Sequence, residues 1–137
     1  MTTVIHHNPD CGTSRNVLAI LRATGVEPTV IHYLDTGWTK PQLLALFAAA
    51  GLTPKGALRT HKTNADALGL PDADDDIIIA AMINDPVLVN RPIVCSPKGV
   101  ALCRPSEAVM PLLETPAKGP LSKEDGTMIL DANGNHA

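Results

Sequence analysis

His6-His7-Asn8-Pro9-Asp10-Cys11-Gly12-Thr13-Ser14-Arg15-Asn16 is a polar turn between two apolar segments, and its reading decides the fold. On one side Val4 and Ile5 supply the apolar part of a short strand, Thr3–His6. On the other, Val17, Leu18, Ile20 and Leu21 recur at helical spacing from a start near Thr13 or Ser14, and Gly25 is a natural stop. Cys11 closes the turn. A sulfur at a helix start meets free backbone N–H groups and the positive end of the helix dipole, and both favour thiolate over thiol. The thiolate is the nucleophilic form. The same N–H groups can seat an anion, so one loop offers a nucleophile and an oxyanion site together.

Working outward, Thr29–Leu34 reads as a second strand around the β-branched Val30 and Ile31. Thr39-Lys40-Pro41-Gln42 is a capping box that opens a helix through Leu43, Leu44, Leu46 and Phe47, and Gly51 stops it. This β-α-β-α order predicts parallel first and second strands with a right-handed crossover. Thr53 to Asn84 reads as short helices, with the Asp72–Asp76 acidic cluster at the start of Ile77–Ile83, where negative charge suits a helix N-terminus. Pro92–Cys95 and Gly99–Cys103, joined by the turn Ser96-Pro97-Lys98-Gly99, read as a hairpin. A helix around Ser106–Leu113 follows, shortened or kinked by Pro111. Together these elements give an α/β, thioredoxin-like domain over residues 1–113. Its mixed four-stranded sheet is a βαβ unit plus a hairpin, with a helical insert at about 52–86 between the halves. Residues 114–137 are expected as a C-terminal tail packed on the same domain and disordered at its end.

A chain of 137 residues is one domain by length, and burying roughly two-thirds of its unfolded surface gives it a core without staples. Aromatics are only 2% of the chain, so the core is aliphatic and base stacking has almost no material. A formal net charge of −3 argues against nucleic acid or an anionic membrane as partner. No apolar run reaches membrane-spanning length and the start lacks a signal-peptide pattern, so a cytoplasmic location is expected. Three cysteines without C-x-x-C argue against a disulfide framework or a structural zinc site. Five histidines without paired spacing argue against a metal site.

Cys11 could be an ordinary buried cysteine, but its polar loop at a helix start favours chemistry. Ser14 stands where a dithiol oxidoreductase carries its second cysteine, so the site is monothiol and needs an external thiol to turn over. A phosphatase-type Cys-x5-Arg loop is excluded, because that spacing falls on Val17. An oxyanion seat calls for more cations, and Arg59, Arg91 and Arg104 are candidates, each in a polar break of an apolar stretch. Singly, each is an ordinary solvated arginine; only convergence would give them meaning. His7 could help hold the thiolate, and His6 would point the other way. Pro92 falls where thioredoxin-like folds carry a cis proline beside the active loop.

Several long strings carry a resemblance. They are His7-Asn8-Pro9 with Cys11-Gly12-Thr13-Ser14-Arg15-Asn16, Glu27-Pro28-Thr29 with Ile31-His32-Tyr33-Leu34, and Asn90-Arg91-Pro92-Ile93-Val94. Leu102-Cys103-Arg104-Pro105-Ser106-Glu107 and Lys118-Gly119 with Ser122-Lys123-Glu124-Asp125-Gly126 continue it. Over nearly its whole length the chain resembles the glutathione/glutaredoxin-coupled arsenate reductases of the thioredoxin-like superfamily. The resemblance implies that Cys11 is catalytic, with His7 and Ser14 close to its thiolate, and that Arg59, Arg91 and Arg104 bind arsenate. It further implies glutathione as co-substrate with no bound cofactor or metal, and arsenate, arsenite, glutathione and glutaredoxin as partners. Pro111 and Pro54-Lys55-Gly56 depart from the pattern, and Cys95 has no assigned role. Two other readings stand beside it. A redox-responsive regulatory protein of the same fold usually carries C-x-x-C, which Ser14 breaks. A glutathione-dependent thiol reductase would not need Arg59 and Arg104 near Cys11.

Overall fold

The computed structural model describes residues 2–123 and 125–137. It divides into two compact units, one made of the chain up to Ile31 together with Arg91–Ala137, the other of His32–Asn90. The second unit therefore begins well before residue 52, at the end of the second strand.

In the first unit β1 (Val4–His6) leads through the cysteine turn into α1 (Gly12–Arg22) and back to β2 (Thr29–Ile31). β1 and β2 are parallel, Ile5 beside Val30, as the crossover requires. The hairpin β3 (Ile93–Ser96) and β4 (Gly99–Leu102) adds to the other side, giving the order β2-β1-β3-β4. β3 runs antiparallel to β1, with His6 opposite Ile93 and Ile5 opposite Val94. Strand alternation then puts Ile5, Val30, Val94 and Ala101 on one face, where α1 covers them with Val17, Ile20 and Leu21. Val109 and Leu112, from the helical turn Ser106–Leu112, complete that core. Each fully buried aliphatic side chain here contributes about 1.5–3 kcal/mol.

The helix expected at Ser106–Leu113 is a 3₁₀ run ending at Leu112. Pro111 lies within it and has no N–H to donate, so an α-helical i to i−4 ladder is interrupted and the run stays a short, tighter 3₁₀ stretch. Beyond Glu114 the sequence suggests a polar surface tail, yet the chain forms a second small sheet, β5 (Leu121–Ser122) with β6 (Met128–Leu130). Ile129 and Leu130 enter the main core, and the Ala137 N–H donates to the Ile129 carbonyl. Close backbone approach holds this segment down: a Cβ on Gly119 would collide with the Asp131 carbonyl oxygen, and one on Gly134 with that of Ala117.

In the second unit the strand expected to reach Leu34 has already stopped at Ile31. The His32 carbonyl accepts N–H bonds from Asp35 and Thr36, opening the short α2 (Tyr33–Thr36). Tyr33 is buried and stacks on Trp38 at 5.0 Å, and the Trp38 indole donates to the Pro86 carbonyl. α3 (Lys40–Ala50) starts at the Thr39–Gln42 capping box, made in both directions, and stops at Gly51 in the left-handed region. α4 (Asp75–Asn84) carries Asp75 and Asp76 in its first turn.

Two stability measurements follow. His6 is buried, and burial pushes its imidazole down to about 4. The unfolded chain therefore takes up a proton first, and stability falls as pH drops from about 6.5 towards 4, by about 3 kcal/mol in total. Urea unfolding at stepped pH should show this loss, and His6→Gln should flatten it. Leu130→Ala should cost about 2–5 kcal/mol, as for any well-packed core leucine; a change of only a few tenths would return residues 114–137 to the status of a loose tail.

Candidate active site

Cys11 sits where the turn meets the helix, at the N-cap of α1 with extended backbone. Asn8 shapes the approach, accepting the Cys11 N–H on its carbonyl at 3.1 Å and the Asp10 N–H on Oδ1 at 2.9 Å. The Asn8 N–H donates to Ser14 Oγ at 3.1 Å, and that hydroxyl also lies 2.7 Å from His7 Nδ1. His7, Asn8 and Ser14 are all buried. Ser14 reaches the sulfur through its backbone N–H, while its hydroxyl ties His7 to the loop.

Two cations arrive from the hairpin. Ile93 pairs with Leu102 at its open end, so carrying the register two residues further sets Arg91 opposite Arg104. β1 ends at that same edge, since His6 faces Ile93, and the cysteine turn follows directly. Arg104 donates Nη1–H to Cys11 Sγ at 3.5 Å and to the Arg91 carbonyl at 3.1 Å. Arg91 is itself buried, and its bond to Pro92 is cis, as the sequence suggests; the Arg104–Pro105 bond is cis too.

The electrostatics at Cys11 are a contest. Burial alone raises the thiol, but the Ser14 backbone N–H, the Arg91 charge and the hydrogen bond and charge of Arg104 outweigh it, and the net direction is down. The other cysteines go the opposite way. Burial raises Cys95, and burial with the nearby Cys95 pushes Cys103 up to about 12. One thiol of three is thus prepared to ionise, beside two guanidinium groups that suit an oxyanion.

Arg59 belongs to the second unit. It is half-buried, its N–H donates to the Leu88 carbonyl at 2.8 Å, and its Nε donates to the His61 carbonyl at 3.0 Å. The Leu58–Val89 bridge and the Asn90 N–H to Ala57 carbonyl bond fix the backbone around it. Among the described residues no group of three or more His, Cys, Asp or Glu side chains could hold a metal ion, and no helix is long and apolar enough to cross a membrane. Asn8 was not singled out from the sequence, although an Asn-Pro pair ahead of a helix start is a recognisable turn former.

Residues 6–111 match the model of the ArsC family. The chain is 60% identical over 134 residues to the arsenate reductase ArsI2 of a Synechocystis strain, with 96% of each chain covered. It is 50% identical over 136 residues to an arsenate reductase of Rhizobium meliloti, covering 98% of this chain and 97% of that one. Among solved structures, the arsenate reductase from Vibrio cholerae superposes with a TM-score of 0.77 at 37% identity, over 82% of this chain and 98% of that one.

A neutral alkylating agent at pH 7 should modify Cys11 ahead of Cys95 and Cys103, as read by peptide mass mapping. The pH midpoint of that reaction should lie below the ordinary thiol range, and Arg104→Gln should move it up. Because the folded pKa is the lower one, this thiol adds stability that is present above the ordinary thiol range and lost as pH falls through the folded value. Cys11→Ser should remove that slope from the pH profile of unfolding.

Proposed function

This chain belongs to the ArsC family, and from that premise we propose that it reduces arsenate to arsenite through the thiolate of Cys11. The observation that carries the assignment of the site is Arg104 Nη1 at 3.5 Å from Cys11 Sγ, with the thiol pulled down in spite of its burial. A buried sulfur between two guanidinium groups is a nucleophile already placed where a tetrahedral dianion would bind.

In the proposed reaction the Cys11 sulfur attacks As(V) and an oxygen leaves as water or hydroxide, giving a cysteinyl arsenate ester. Glutathione then bonds its sulfur to arsenic with loss of a second water, and the arsenic is still As(V). The glutaredoxin thiol attacks that glutathione sulfur, so the arsenic–sulfur bond breaks with its electron pair left on arsenic as As(III) and the two thiols leave as a mixed disulfide; water then displaces arsenite from Cys11 and restores the thiol. In total, arsenic acid and two thiols give arsenous acid, one disulfide and water. Arg91, Arg104 and the N–H groups at the start of α1 offset charge on the anion and on the oxygen it sheds. Arg59 is the proposed third cation of the oxyanion seat. The His7–Ser14 pair holds the loop in the shape that aims the Ser14 N–H at the sulfur. No bound cofactor is required, and the dependence on reduced thiols suits the cytoplasm. Phosphate shares arsenate's shape and charge, so discrimination rests on the readiness of arsenic to accept sulfur.

The test is steady-state arsenite production with glutathione and glutaredoxin. Wild type should turn over and Cys11→Ser should not. Arg104→Ala and Arg59→Ala should each lower kcat/KM for arsenate by about a hundredfold or more, as expected for charge-assisted contacts that tighten in the transition state. Arginine variants with unaltered kcat/KM would take both residues out of the mechanism. Wild type inactive with arsenate would end the proposal.

A further inference from the structure

Asn8 is buried in the cysteine turn and bonds there through its carbonyl, its side-chain oxygen and its N–H. The carbonyl accepts the Cys11 N–H at 3.1 Å, which closes the turn Asn8-Pro9-Asp10-Cys11. Asn is favoured at the first position of such a turn and Pro at the second. Pro9 brings no N–H, so the first one after Asn8 belongs to Asp10, and Asn8 Oδ1 takes it at 2.9 Å. The Asn8 N–H donates to Ser14 Oγ at 3.1 Å, in the first turn of α1. The reaction above gives this residue no part.

The N–H groups from Asp10 to Arg15 are thereby divided. Those of Asp10 and Cys11 end on Asn8, that of Ser14 reaches the Cys11 sulfur, and that of Arg15 goes to the Cys11 carbonyl at 3.0 Å. Gly12 and Thr13 keep theirs without a partner among the described residues. Both stand at the start of α1, where the helix dipole favours an anion. An aspartate at position 8 would close the same turn, since its side chain also bonds the backbone two residues on. It would add a negative charge three residues before the thiolate. Asparagine supplies the acceptor and leaves the field of Arg91 and Arg104 undiluted.

We propose that Asn8 is a positioning residue for the chemistry of Cys11: it draws the Asp10 and Cys11 N–H groups to itself, fixing the turn that brings the Ser14 N–H to the sulfur, and it does so without charge. The arsenate-reductase reading gives this role its purpose, but the first test involves no arsenate.

That test compares wild type with Asn8→Ala, Asn8→Ser and Asn8→Asp. All four keep His7, Asp10, Arg15, Arg91 and Arg104, the titratable and charged groups of the turn, α1 and the hairpin edge. Asp10 is exposed, so the N–H freed in Asn8→Ala turns to water and the variant folds. The pH midpoint of Cys11 alkylation by iodoacetamide should rise by roughly half a unit in Asn8→Ala, the worth of one lost hydrogen bond. Asn8→Ser should raise it less, because a hydroxyl makes the same turn more weakly. Asn8→Asp keeps the turn and adds only charge, and its midpoint should rise by about a unit. A residue that served the fold alone would lower the melting temperature and leave the midpoints together. The second measurement is turnover, where kcat/KM for arsenate should fall roughly tenfold in Asn8→Ala. Coincident midpoints in wild type and Asn8→Ala, or in wild type and Asn8→Asp, would overturn the role even in a fully active reductase. Midpoints in the expected order in a protein that leaves arsenate untouched would uphold it and sink the proposed reaction instead.

Discussion

At Cys11 two electrostatic effects oppose each other. Removal from water raises the cost of a negative sulfur, and the Ser14 N–H, Arg91 and Arg104 lower it by more. The direction of that balance sets what the site can do. A protonated sulfur in the same place would be one more small apolar side chain, as Cys103 is, buried with its thiol pushed up to about 12. The difference between the two lies in their surroundings, since the residue type is the same.

The sheet is what makes the balance possible. Arg91 and Arg104 are thirteen positions apart in the chain, on opposite sides of one tight turn. The antiparallel register brings them to one edge, and the β1–β3 pairing delivers the cysteine turn to that edge as well. Three separate segments meet because two strand pairings share an end. α1 then contributes its free N–H groups without any side chain being spent on the task.

Much of this is legible before folding. The polar turn after Val4-Ile5, the capping box at Thr39 and the turn at Ser96–Gly99 are local patterns, and each element stands within a residue or two of its reading. The meeting of Arg91 with Arg104 waited on the strand register, which sets both equally far from the centre of the hairpin turn. What escaped were outcomes set by distant partners. Tyr33 leaves the strand pattern because its ring finds Trp38 and burial, and β propensity at Ile31-His32-Tyr33 could not register that competition. Ile129 and Leu130 look like a brief apolar run in a polar stretch, and only their contact with the main core makes them structural. The Ser14 hydroxyl bonds to His7 while the backbone N–H of the same residue reaches the sulfur, a division of labour that residue type alone does not specify.

The bond from Arg104 to the Arg91 carbonyl has a thermodynamic meaning of its own. A long cationic side chain loses up to about 2 kcal/mol of rotamer freedom when it is immobilised. Here that loss is incurred once, as the chain folds, because one end of the guanidinium is already tethered to a neighbouring peptide group. An arriving oxyanion meets a rigid donor and has no wandering side chain to arrest. Its attraction is then felt almost undiminished as grip on the ligand.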